Sequence, residues 1–149
     1  MVTVRNFKIE HAGDLAEIER ACFTTPWTAE MLRAETENEC SHIYVALLDG
    51  KAVGYTVIYN VLGDVDIVRV GVLPQCRRHG IAKALLTHAL NEQKGRVFLD
   101  VRESNTPAIM LYKSLGFVDT GVRKNYYESP EEDAVLMERK AEGQKTPTV

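Results

Sequence analysis

No stretch of this chain is apolar for the roughly 20 residues that a membrane-crossing helix requires. Its first residues, Met1-Val2-Thr3-Val4-Arg5-Asn6-Phe7, also lack the long apolar segment of a secretion signal. Positive charge is in short supply. The 18 Lys and Arg stand against 21 Asp and Glu, for a net charge of -3. That balance argues against a protein that holds nucleic acid through a broad basic surface. Cysteine is scarce: Cys22, Cys40 and Cys76 are odd in number and lack metal-ligand spacing. They read as reduced thiols of a cytoplasmic protein, with no metal expected. Two common phosphate-binding patterns, G-x-x-x-x-G-K-[ST] and G-x-G-x-x-G, are absent. There is no internal repeat and no low-complexity domain. What remains is 149 residues with 45% hydrophobic and 26% charged side chains. This suits one globular domain with a sizeable core.

The patterning predicts a strand over Val4 to Ile9 and a helix starting at Asp14, with Leu15, Ile18, Ala21 and Cys22 as its apolar positions. Pro26 interrupts it, and Thr28 caps a second helix. Strands follow over Ile43 to Leu48 and Val53 to Tyr59, joined by an Asp49-Gly50 turn. Gly63-Asp64 marks the next turn, before a strand from Val65 to Val72. A helix runs from Gly80 to a cap near Gly95, and Arg96 to Arg102 is a strand. Thr106 caps a helix with Pro107 at its first position, which Gly116 ends. Phe117 to Tyr127 and Ala134 to Arg139 close the sheet, and Ala141 to Val149 reads as a frayed tail beyond a domain over residues 1–140. The order predicts an α/β fold: a mixed, mostly antiparallel central sheet flanked by helices on both faces.

The most informative stretch is Val68 to Leu86, where an apolar strand runs into a loop carrying Arg77, Arg78, His79 and Gly80. That loop opens directly into a helix. A helix N-terminus carries free N–H donors and partial positive charge, so cations there are out of place unless an anion docks. Gly80 lets backbone approach such an anion closely. The plainer alternative is a basic loop before a surface helix.

Other residues admit two readings each. Gly71 inside a strand marks either a packing constraint or the close approach of a ligand. Asp100 shares a face with Phe98 and Arg102, opposite Val97, Leu99 and Val101. It is either the partner of Arg102 or Arg69, or a general base for an amine, with Glu103 as competitor. Tyr112 lies on a helical face with Ala108, Leu111 and Leu115, as core or as a proton donor. Asn105 either satisfies its own turn or bonds an extended amide-bearing ligand. Trp27, the single tryptophan, is a core anchor or a cleft wall; Arg123, Asn125, Tyr126 and Tyr127 form a cleft rim or an ordinary hairpin end. The first 49 residues carry an excess of acid, with Glu10, Asp14, Glu17, Glu19, Glu30, Glu35, Glu37, Glu39 and Asp49 against Arg5, Lys8, Arg20 and Arg33. This is a solvated face, or a surface that draws a cationic substrate.

Taken together, Arg77-Arg78-His79-Gly80-Ile81-Ala82, Phe23 to Thr28, Leu99 to Asn105, Ala108 to Phe117, Arg123 to Tyr127 and Glu132 to Met137 resemble the GNAT N-acetyltransferases. Within that family the chain is similar to the bacterial RimI-type ribosomal-protein-alanine N-acetyltransferases over about Val4 to Lys140. The resemblance implies acetyl-CoA as cosubstrate, held by backbone at Val70, Gly71 and Val72, by Arg77, Arg78, His79, Gly80, Ile81, Ala82 and Lys83, and by Asn105. It implies direct attack by a protein N-terminal amine, with no acyl-enzyme and no metal, Asp100 as proton acceptor and Tyr112 as proton donor. Trp27, Asn125, Tyr126 and Tyr127 would meet the acceptor, the N-terminus of a ribosomal protein; neither nucleic acid nor membrane is an expected partner. The family usually has glutamate where this chain has Asp100, which draws the carboxylate back by about 1.5 Å. The alternatives are a small amine or a lysine as acceptor, or a non-catalytic acetyl-CoA-binding module.

Overall fold

The computed structural model describes residues 1–141. Seven strands form one sheet in the order β1-β2-β3-β4-β5-β7-β6. They are β1 (Val2–Asn6), β2 (Ser41–Leu48), β3 (Lys51–Val61), β4 (Asp64–Val72), β5 (Arg96–Arg102), β6 (Val118–Tyr127) and β7 (Glu132–Arg139). Four helices accompany them: α1 (Ala12–Cys22), α2 (Ala29–Glu35), α3 (Ile81–Glu92) and α4 (Thr106–Ser114). Every strand pair is antiparallel except β4 with β5.

The two faces of the sheet are covered by different helices. A Cβ on Gly71 would meet Ile18 of α1 at 3.1 Å and Tyr55 at 3.4 Å. One on Gly54 would meet Ile81 of α3 at 3.2 Å. Gly54 and Tyr55 are sequence neighbours on β3 and so point to opposite faces. Hence α1 and α3 sandwich the sheet. β3 is buried along most of its length because both faces are covered. Leu15 and Ile18 from α1, Leu85 and Leu86 from α3, and Val57 and Ile58 from β3 are fully enclosed.

Chain position differs from the sequence-based expectations at several points. The first strand ends at Asn6, and Ile9–His11 forms a short 3-10 turn that leads into α1 at Ala12. The β3–β4 turn is carried by Leu62 and Gly63, both at positive φ, rather than by Gly63-Asp64. α3 ends at Glu92 with Gln93 as its cap, short of Gly95. Asn105, not Thr106, caps α4: its side chain accepts from the Ala108 N–H, so Pro107 sits in the second helical position. The expected tail, beyond Ala141, lies outside the described residues.

One irregularity opens the sheet. β3 pairs Val57 with Arg69 but Ile58 with Ile67, so Val68 bulges out of the ladder. A bulge bends its strand and increases the local twist. β4 then pairs with β5 only over Asp64–Asp66 against Arg96–Phe98. Beyond that point the two strands part, and a wedge forms in the middle of the sheet.

Candidate active site

The wedge is the candidate site. A cleft of about 650 Å³ lies along it, lined from β4 by Asp66, Ile67, Val68 and Arg69 and from β5 by Phe98, Leu99 and Asp100. β6 adds Thr120, Arg123, Tyr126 and Tyr127, and β7 adds Leu136, Met137 and Glu138.

The parted strands leave hydrogen-bonding backbone without a sheet partner. Leu73 donates to the Val53 carbonyl at 2.9 Å, which fixes the alternation of the β3–β4 ladder. Gly71 therefore bonds back toward β3, while the N–H groups of Val70 and Val72 point into the wedge. The Val72 carbonyl accepts from Cys22 Sγ and Arg77 Nε, in keeping with that direction. Gly71 is a packing glycine: α1 and Tyr55 occupy the space a side chain would take.

Past Val72 the chain turns through Pro74–Cys76 into α3. Gly80 is the N-cap at φ 74, and no side chain caps the helix. The first intrahelical bond is Ala84 to the Gly80 carbonyl, so the N–H groups of Ile81, Ala82 and Lys83 have no partner within the helix. A Cβ on Gly80 would meet nothing within 4 Å, so the space before these donors is open and the glycine is needed for its backbone angle. Arg78, His79 and Lys83 are exposed around the opening, while the Ile81 side chain is buried in the core. Arg77 does not join them. Its guanidinium is tied to the Val72 carbonyl at 3.2 Å and to Cys22 Sγ at 3.4 Å. This arrangement fits a pyrophosphate at α3 and an amide-bearing arm along Val70 and Val72. The Asn105 side-chain oxygen is spent on its helix cap, which leaves its amide nitrogen as the free donor.

Asp100 is exposed in the cleft, between the buried Leu99 and Val101. Neither proposed ion partner is available to it. Arg102 pairs with Glu132 at 3.2 Å, donates to the Glu128 and Pro130 carbonyls, and stacks on Tyr127 at 4.5 Å. Arg69 pairs with Glu19. Among the described residues Asp100 therefore has no ion pair. Glu103 stands exposed in the turn after β5, outside the cleft lining.

Tyr112 is buried at 8% exposure, with its ring edge-on to Phe117 at 5.7 Å. Burial pushes its hydroxyl up to about 12. Tyr127 is pushed up to about 12 as well, by burial first and then by the charge of Asp100. Tyr126 and Tyr127 meet edge-on at 5.1 Å on the cleft wall. Asn125 sits at φ 54 in a bulge of β6, its N–H bonded to Asp133, and does not line the cleft. Trp27 stands one layer back, its ring 4.7 Å from the Arg69 guanidinium.

One cluster was not anticipated. Glu19 is completely buried, with one carboxylate oxygen accepting from Trp27 N–H at 2.6 Å and Arg69 Nε at 3.1 Å. The other oxygen accepts from the Tyr55 hydroxyl. The Arg69 guanidinium also lies 4.2 Å from the Phe23 ring and donates to the Thr25 carbonyl at 3.0 Å. Glu19 thus belongs to an internal clamp, not to the solvated acidic face. A signal was present: Glu19 follows Leu15 by four residues and Ile18 by one, on the inward side of α1.

The model of the acetyltransferase (GNAT) family matches residues 12–117. The chain is 33% identical over 143 residues to the ribosomal protein bS18-alanine N-acetyltransferase of Escherichia coli (strain K12), covering 92% of this chain and 96% of the relative. A Bacillus subtilis (strain 168) protein, provisionally assigned the same activity, is 37% identical over 139 residues, 90% of this chain and 92% of the relative. The crystal structure of the ribosomal-protein-S18-alanine N-acetyltransferase from Escherichia coli superposes with a TM-score of 0.86 at 27% identity, over 100% of this chain and 99% of that one.

Proposed function

The chain belongs to the GNAT acetyltransferase family, and from that premise we propose that it moves an acetyl group from acetyl-CoA to the N-terminal α-amine of a protein, the alanine N-terminus of a small-subunit ribosomal protein. The observation that carries this reading is the wedge itself. Unpaired N–H groups and an uncapped helix N-terminus stand on one side, and an unpaired carboxylate and two tyrosines on the other. The first set suits a pyrophosphate and its amide-bearing arm; the second suits an amine that must lose a proton.

In this reading Arg78, His79, Gly80, Ala82 and Lys83, with the Ile81 N–H, hold the pyrophosphate, and the Val70 and Val72 N–H groups and the Asn105 amide hold the pantetheine. Asp100 takes a proton from the acceptor. An α-amine titrates near about 8, so a modest base serves. Tyr112, buried behind the residues that line the cleft, would serve the departing sulfur. With its hydroxyl at about 12 against about 8.5 for an ordinary thiol, full proton transfer to sulfur runs uphill. Tyr112 therefore acts as a hydrogen-bond donor that steadies the developing thiolate. Tyr126 and Tyr127 border the acceptor, while Trp27 shapes the wall through Arg69.

The test is coenzyme A release from acetyl-CoA. The acceptors are a hexapeptide beginning with the ribosomal alanine N-terminus, the same peptide blocked at its amine, free lysine, and polyamines. Turnover on the free-amine peptide alone is the expected result. Turnover on the small amines alone overturns the acceptor. Tyr112→Phe should lose turnover and keep acetyl-CoA binding by calorimetry; a binding module would show no turnover in either form.

A further inference from the structure

We propose that Asp66 is a second carboxylate of the acceptor site: it faces Asp100 across the parting of β4 and β5, and the pair receives the acceptor's ammonium and takes its proton. This rests on the acetyltransferase reading and deepens it. Asp66 is the last residue of β4 paired with β5, opposite Phe98. Its neighbour Val65 and the facing Val97 are both buried, so alternation sets Asp66, Phe98 and Asp100 on the same open face. With about 4.8 Å between paired strands and about 3.3 Å per residue, and with Asp100 two residues past the last pair, the two aspartate Cα atoms lie at least about 8 Å apart. Two aspartate side chains narrow that span to the reach of one ammonium group. Both line the cleft, and among the described residues neither side chain has an ion pair or a hydrogen bond.

Among the described residues no cation is ion-paired with either carboxylate. Asp64 on β4 adds negative charge. Arg69 on β4 is committed to Glu19, and Arg96 on β5 to Glu138 on β7 at 2.6 Å. On β6, Arg123 stacks against Tyr126 at 5.5 Å, and Tyr127 is held protonated. Burial first, then Asp100, then Asp64 raise the Asp66 carboxyl from its ordinary value. Facing carboxylates of this kind favour uptake of a cation or of one proton.

Protons and electrons balance across the step. The α-ammonium hydrogen-bonds the pair, and one N–H proton passes to a carboxylate oxygen. The freed lone pair forms the C–N bond at the thioester carbonyl carbon, the C–S bond breaks, and its electron pair leaves on sulfur. The second N–H proton ends on that sulfur as thiol, and the carboxylate returns its proton to water. A second carboxylate across the wedge makes up for the methylene that Asp100 lacks.

The experiment is a cycle of Asp66→Asn, Asp100→Asn and the double variant, assayed on the free-amine peptide, with acetyl-CoA affinity followed by calorimetry. Asp66→Asn should lower kcat/KM about tenfold when Asp100 is present and cost nothing further when Asp100 is already asparagine. Asp66→Glu should restore part of the rate, and acetyl-CoA affinity should stay at the wild-type value throughout. Equal losses in both backgrounds, or no recovery in Asp66→Glu, overturn the proposal. A wild type that acetylates only small amines overturns the peptide acceptor, and the same cycle on that amine then decides for or against the pair. A wild type silent on every amine overturns both.

Discussion

The two sides of the wedge are made differently. The side at the start of α3 is contiguous chain, residues 78–83, and works through backbone N–H groups and exposed cations. The acceptor side is assembled from α1, β4, β5 and β6, with its charges fixed by partners distant in sequence. A local motif needs only local geometry, so changes to it should alter affinity and leave stability alone. An assembled wall depends on packing, so changes to it should reach the fold.

The largest effect tests that contrast on the acceptor side. Arg69→Met leaves the Glu19 carboxylate buried with no cation, and removing one partner of a buried pair costs about 3–5 kcal/mol. Burial already raises the Glu19 carboxyl, against the opposing pull of its bonds to Trp27 and Arg69. Without Arg69 it rises further, so the folded variant binds a proton that the unfolded chain releases near its ordinary value of about 4.3. Stability then falls as pH rises above that value. Chemical denaturation should show a small defect near pH 4 and the full defect near neutrality. A neutral-pH loss below about 1 kcal/mol would mean that the clamp is incidental to the wall.

The matching change on the other side is Arg78→Glu. It sets a negative charge beside the proposed pyrophosphate, on an exposed residue at φ 67 without a partner among the described residues. Acetyl-CoA should bind about tenfold more weakly, or about 1.4 kcal/mol, with the unfolding midpoint unmoved. Arg77→Glu is the contrast: that guanidinium ties the loop to Val72 and Cys22, so part of its effect should appear as lost stability. If Arg78→Glu destabilises the fold and Arg77→Glu does not, the division between the two sides is wrong.

The same division explains what could be read from the chain. Asp49-Gly50 announced its turn through two residues suited to positive φ, and both adopt it. Thr28 capped α2 as its type and position require. The alternation in Arg96 to Arg102 marked which side chains are buried. All of these depend on a few consecutive residues. The Val68 bulge does not: Ile67 and Val68 are adjacent and equally apolar, and only the register with β3 makes Val68 the unpaired one. The wedge lies beside that bulge, so the β4 side of its lining, with Asp66 and Arg69, stayed hidden, while Asp100, Tyr126 and Tyr127 were legible. Glu19 sits among acidic neighbours in the sequence, and only its position on the inward side of α1 sets it apart. Gly71 kept both readings open, packing or ligand, because a sequence does not tell which helix crosses above a strand.

The smallest effect lies where the two sides meet, at Asn105. Its Oδ1 caps α4 through the Ala108 N–H at 3.3 Å, while its amide nitrogen is the group left for the proposed pantetheine contact. Asn105→Asp keeps an oxygen for the cap and removes the donor. Aspartate and asparagine are about equal as N-caps, and truncation to alanine costs about 1 kcal/mol. Asn105→Asp should therefore unfold like the wild type and bind acetyl-CoA a few-fold more weakly, whereas Asn105→Ala should show the affinity loss together with about 1 kcal/mol of lost stability. Affinity unchanged in Asn105→Asp would confine Asn105 to its cap and place the contact side of the pantetheine on Val70 and Val72 alone.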